Sequence, residues 1–98
     1  MKGYVIATVR VDDPEGYEAY RSQTRTVIER HGGRFLVRGG RVEAREGAMT
    51  GDRVVVLEFP TMGQARAFYD SEDYQRIVPI RQANAAATLF LVEGIAEE

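Results

Sequence analysis

Seven side chains in the 98-residue sequence combine a reactive type with a telling position: Arg38, Glu58, His31, Tyr4, Tyr69, Tyr74 and Arg81. Arg38 and Glu58 each adjoin an apolar run, Phe35-Leu36-Val37 and Val54-Val55-Val56-Leu57. A guanidinium stabilises a developing oxyanion, and a carboxylate beside it fixes its orientation. Strand alternation places Arg34, Leu36 and Arg38 on one face, with Phe35 and Val37 on the other. In the following strand, Val55, Leu57 and Phe59 oppose Val54, Val56 and Glu58. With the apolar sets turned toward helices, Arg38 and Glu58 meet on the far side of the sheet. Burying them there is costly unless they pair with each other or meet a ligand. The expectation is an Arg38–Glu58 pair that either locks the structure or centres a ligand site, subject to a register shift at Gly39-Gly40.

His31 is the only imidazole, the side-chain type suited to acting as acid or base, so it is a candidate to move a proton. Its plainer role is to complement the dipole at a helix end. Tyr4, Tyr69 and Tyr74 can donate hydroxyl hydrogen bonds, although aromatics at regular spacing usually belong to a core. Arg81 follows Pro79 and could reach a ligand carboxylate, while a solvated surface arginine is the plainer reading. As a catalytic set, Arg38 would hold an oxyanion, Glu58 would orient it, and His31 or a tyrosine would transfer the proton. Tyr4, Tyr69, Tyr74 and Arg81 would bind the ligand.

The elements that must position these residues are read from spacing and punctuation. Tyr4 to Val11 alternates as a strand. Asp13 caps a helix that Pro14 begins; Tyr17, Tyr20, Thr24, Val27, Ile28 and His31 form its inward stripe, and Gly32-Gly33 stops it. Arg34 to Arg38 reads as a strand, bulged at Gly39-Gly40 and resuming over Arg41 to Ala44. A hairpin loop at Glu46 to Gly51 leads to an apolar strand from Arg53 to Phe59. Thr61 and Gln64 form a capping box for a second helix. Ser71 caps a further helical stretch that Pro79 should kink or end. Thr88 to Glu93 is the last strand, and Gly94 to Glu98 a tail. Strand, helix, hairpin, helix, strand is the ferredoxin-like β-α-β-β-α-β order, an α+β antiparallel sheet with helices on one face. Yet Val54 to Leu57 and Leu89 to Val92 are apolar on both faces, so something must cover the other side. The simplest cover is a second copy of the chain, making a homodimer.

Composition narrows the functions. The chain is one domain, 44% hydrophobic and 29% charged, so a folded core is expected rather than disorder. A net charge of −2 gives no pull toward nucleic acid or anionic lipid. The absence of cysteine removes disulfides, thiolate metal sites and cysteine nucleophiles. The N-terminus resembles no signal peptide and no apolar run approaches membrane-spanning length, so a cytoplasmic protein is expected. RNA recognition on such a sheet needs exposed aromatics on the central strands, and Arg53 to Phe59 offers one aromatic beside an acid. Val11-Asp12-Asp13-Pro14 would repel a phosphate. Haem would rest on His31 alone. No metal and no cofactor are expected, nor a nucleic-acid or membrane partner.

The decapeptide His31-Gly32-Gly33-Arg34-Phe35-Leu36-Val37-Arg38-Gly39-Gly40 resembles the signature of the bacterial domain of unknown function 1330 family. Asp13-Pro14-Glu15 with Tyr17 and Tyr20, Val56 to Pro60, Tyr69-Asp70-Ser71 with Tyr74, and Val92-Glu93-Gly94 also match its pattern. The resemblance implies the dimeric α/β-barrel superfamily, in which two ferredoxin-like sheets pack face to face. That fold is similar to those of cofactor-free monooxygenases, isomerases, dehydratases and haem-dependent enzymes, so it does not choose a function. Two functions stay open: a cofactor-independent enzyme acting on a small carbonyl, carboxylate or aromatic compound, and a non-catalytic dimeric module for binding or structure.

Overall fold

The computed structural model describes residues 1–96. Its elements run β1 (Gly3–Val11), α1 (Pro14–Arg30), β2 (Arg34–Arg38), β3 (Arg53–Phe59), α2 (Met62–Asp70), α3 (Glu72–Asn84) and β4 (Ala85–Glu93). The caps form where the sequence places them. The Asp13 carboxylate accepts from the Glu15 and Gly16 amides at 3.2 and 3.3 Å, satisfying donors that the first turn of α1 leaves free. Thr61 and Ser71 do the same for α2 and α3, accepting from the Gln64 and Tyr74 amides at 3.1 and 3.2 Å. Gly32, at φ +82°, supplies the left-handed stop after α1.

The four strands form one antiparallel sheet in the order β2-β3-β1-β4, the α+β ferredoxin-like arrangement. Val5, Ala7 and Val9 of β1 and Leu57 and Phe59 of β3 are buried under the helices. From α1, Tyr17, Tyr20, Thr24, Val27 and Ile28 face them. Phe68 of α2 lies between Phe59 and Tyr74, with ring centroids 5.1 and 4.4 Å away, tying both later helices to the sheet.

Three expectations are corrected. Pro79 neither ends nor divides its helix, since α3 continues to Asn84. Pro79 and Gln75, whose carbonyl loses its donor, are both exposed, so water can take the lost bond. No strand resumes at Arg41 to Ala44: residues 41–50 are all exposed and offer no face to bury. The bulge lies at Leu36 rather than at Gly39-Gly40. Phe35 pairs with Leu57, Val37 pairs with Val56, and Leu36 is the extra residue between them.

The other sheet face is open. It carries Ile6, Val54 and Val56, half-buried, together with Leu36, Val37, Phe90 and Val92, which are 39–61% exposed. No described helix is long and apolar enough to cross a membrane.

Candidate functional site

The bulge at Leu36 decides where the charges go. One extra residue moves every later side chain of β2 to the opposite face. Arg34 therefore pairs in register with Glu58 on the open face, whereas Arg38 pairs with Val55 and turns under the helices. The expected Arg38–Glu58 pair does not form.

Glu58 instead meets Arg34, whose Nε and Nη2 both lie 3.0 Å from Oε1, and Lys2, 3.5 Å away. Burial works against the charge on Glu58, but Arg34 and Lys2 outweigh it and hold the carboxyl below its usual range. Tyr4 lies beside this group, opposite Glu58 in the register. Glu58 and Tyr4 thus belong to the open face.

Arg38 reaches α1 instead. Its Nη2 donates to the Arg21 carbonyl at 2.9 Å and to Thr24 Oγ1 at 3.4 Å, and its guanidinium lies 4.2 Å from the centre of the Phe35 ring. This places it in a cavity of about 50 Å³ between sheet and helices. The apolar walls include Val9, Val55 and Leu89, and the polar groups converging there include Arg53, Arg81, Tyr20 and Tyr74 as well as Arg38. Burial, then the charges of Arg21, Arg25 and Arg53, lower the proton affinity of Arg38.

Arg81 is the most confined of these cations. It is 8% exposed, its guanidinium is 5.9 Å from the Tyr20 ring centre, and its buried Nε has no hydrogen-bond partner. The surface reading of Arg81 is therefore overturned: continuing α3 through Pro79 puts position 81 on the face of Tyr74, Ile77 and Val78. Arg53 Nε is likewise buried without a partner. Among the described residues, Arg38, Arg53 and Arg81 make no ion pair, and no carboxylate lines the cavity.

The hydroxyls of Tyr20 and Tyr74 hydrogen-bond to each other at 2.8 Å. Burial pushes both phenols up, with each other's proximity adding to the effect at Tyr20, so both keep their protons. One of the two protons closes the mutual bond, and the second is available to a ligand oxygen. Donors dominate the cavity's polar groups, and no group in it is a strong base. Its polar groups suit negative charge and can donate hydrogen bonds to it.

Two candidate residues lie apart from this cavity. His31 caps α1, with Nε2 3.3 Å from Asp73 Oδ1 and its ring edge-on to Phe68. Tyr69 packs at the core margin, its ring 5.7 Å from that of Tyr74. The cavity thus gathers Arg38, Tyr74 and Arg81 but not Glu58, His31, Tyr4 or Tyr69. It also includes Arg53, Tyr17, Tyr20 and Thr24, which sequence reasoning assigned only to a strand or to a core stripe. For Arg53 a signal existed, because it shares strand parity with Val55, Leu57 and Phe59.

Comparison with solved structures shows the same fold. A protein of unknown function from Rhodopseudomonas palustris is 22% identical, with a TM-score of 0.76, covering 98% of this chain and 84% of its own. SnoaB, a cofactor-independent oxygenase from Streptomyces nogalater, is 15% identical, with a TM-score of 0.63, covering 98% of this chain and 95% of its own. A dimeric ferredoxin-like protein of unknown function from Thermobifida fusca is 19% identical, with a TM-score of 0.51, covering 94% and 92%. No curated protein sequence matches the chain. The family described as "Domain of unknown function (DUF1330)" matches residues 2–95, and the chain belongs to it.

Proposed function

We propose that this protein is a cofactor-free enzyme that binds a small carbonyl or carboxylate compound in the helix-side cavity and stabilises negative charge on its oxygen. One observation carries the reading. Among the described residues, Arg81 is a buried cation whose Nε lacks a partner, in an apolar-walled cavity that no carboxylate lines. Burial works against the Arg81 charge and the Tyr74 and Tyr20 hydroxyls offset it, but no carboxylate among the described residues does, and an anionic ligand would supply that partner. Arg38 and Arg81 would hold the oxyanion, and the free proton of the Tyr20–Tyr74 pair would bond to it. A proton leaving carbon would pass to water, since the cavity offers no strong base. The volume narrows the ligand. About 50 Å³ is well below the roughly 150 Å³ that admits benzene, so an aromatic ring would not enter whole. SnoaB, on the same fold, is a cofactor-independent oxygenase, which supports chemistry without a cofactor but does not name the reaction.

The open face supports a homodimer. Phe90 is 61% exposed and Leu36, Val37 and Val92 surround the half-buried centre of that face. Contiguous apolar surface of this kind marks an interface, and a second copy of the same sheet fits it. The Thermobifida fusca neighbour is described as dimeric.

The test is a thermal-shift comparison of acetate, pyruvate and benzoate at constant ionic strength. Acetate and pyruvate should raise Tm, benzoate should do so least, and Arg81→Met should abolish the response. Deuterium exchange of the pyruvate methyl group, followed by proton NMR, then separates enzyme from binding module. Exchange faster than in buffer supports catalysis; binding without acceleration favours the module.

A further inference from the structure

Three guanidiniums that make no ion pair among the described residues share a cavity that holds roughly four water-sized groups. Two of them, Arg53 and Arg81, have a buried Nε–H with no acceptor. Arg38 and Arg53 are both half-buried, but Arg38 already donates to α1 and stacks on Phe35. The Arg21 carbonyl covers part of its charge, whereas Arg53 and Arg81 each have a buried Nε with no acceptor among the described residues. The Arg53 guanidinium is also held against the backbone of Gly39, at φ +69°, where a Cβ would overlap Nη1. The cluster is therefore placed by the fold.

We propose that the ligand of this cavity is a compact dianion, with two negative charges carried on neighbouring oxygens and matched to Arg53 and Arg81, while Arg38 bonds the oxygen nearer α1. The proposal rests on the reading of the cavity as an anion site and adds the charge the anion must carry. A monoanion leaves one of the two guanidiniums with a buried, partnerless Nε uncompensated, whereas a dianion satisfies both. The small volume requires the two charges to sit on one compact group, as in a phosphate or sulfate.

Isothermal titration of the intact protein with sulfate and with perchlorate, tetrahedral anions of similar size that carry two charges and one, separates the charge from the shape. Inorganic phosphate is a second tetrahedral dianion, all in mildly alkaline buffer at constant ionic strength. Sulfate or phosphate should bind at least about tenfold more tightly than perchlorate, since each charge-assisted contact is worth that much or more. In Arg53→Gln the preference should fall to within about threefold, because one guanidinium then remains to be matched. Equal affinity of the parent for both dianions and perchlorate would overturn the dianion proposal and leave the anion site standing. No binding of any of the three would overturn both.

Discussion

Removing Arg81 should leave the unliganded protein no less stable, which is unusual for a residue that is 8% exposed. Replacing a buried charge by an apolar side chain of similar length is often neutral or stabilising by about 1–4 kcal/mol. Against this, Arg81→Met forfeits the stacking on Tyr20, 5.9 Å away, worth about 0.5–2 kcal/mol. Methionine keeps most of the aliphatic packing that the arginine stem provides. No ion pair is broken and Nε gives up no hydrogen bond. The middles of the two ranges leave a net gain of about 1 kcal/mol, or a Tm higher by about 4–8 °C in a domain of this size. Urea unfolding of parent and variant at equal chain concentration measures it, and the same samples titrated with acetate should show the response in the parent alone. A loss of more than about 1 kcal/mol would show that Arg81 holds the fold together, and the account of an unsatisfied cation awaiting a ligand would fail.

Other variants probe the remaining parts. Sedimentation at micromolar concentration should give twice the 11.0 kDa chain mass, and Phe90→Glu on the open face should give monomer; a monomeric parent would remove the second copy. Gly39→Ala should cost about 1–2 kcal/mol because of the positive φ, and should weaken the acetate response by displacing Arg53; an unchanged response would separate Arg53 from the site. His31→Gln should lose about 1 kcal/mol or less and keep the acetate response, since His31 only joins the end of α1 to Asp73. The Ser71 hydroxyl and the His31 ring hold Asp73 down to about 2, below its unfolded value of 3.8. The unfolded chain therefore takes up the proton first on acidification. Stability from Asp73 is full above 3.8 and lost as pH falls toward 2. Asp73→Asn should flatten the acid limb of urea midpoints, and an unchanged limb would remove Asp73 from that role.

What could be read from the sequence was whatever local chemistry determines. Asp13, Thr61 and Ser71 cap because their side chains reach free amides within three residues. The stripe from Tyr17 to Ile28 is buried because its period is that of a helix. The candidate site was harder to read because it turns on one residue of register. Strict alternation through Leu36 sends Arg38 to the open face, and the bulge sends it under α1. Nothing in Phe35-Leu36-Val37 marks a bulge, while Gly39-Gly40 advertises one that does not form there. The burial of Arg81, a candidate read as more at home on the surface, was hidden for a related reason. Pro79 reads locally as a stop, yet on the exposed side of α3 it costs little, and the helix carries Arg81 inward. Arg53, Tyr20 and Tyr74 then come together only through the packing of three separate elements, which sequence spacing does not reveal.

The central claim, a helix-side cavity whose free guanidiniums receive an anion, is most directly tested by following arginine Nε–Hε signals in nitrogen-15 NMR during an acetate titration. Arg53 and Arg81 have buried Nε atoms without partners, whereas Arg34 and Arg10 donate theirs to Glu58 and Asp12 at 3.0 and 2.8 Å. The account predicts saturable shifts at Arg53 and Arg81, with Arg34 and Arg10 unmoved. Parallel, non-saturating drift of all four signals, or shifts at Arg34 with Arg81 unmoved, would contradict it.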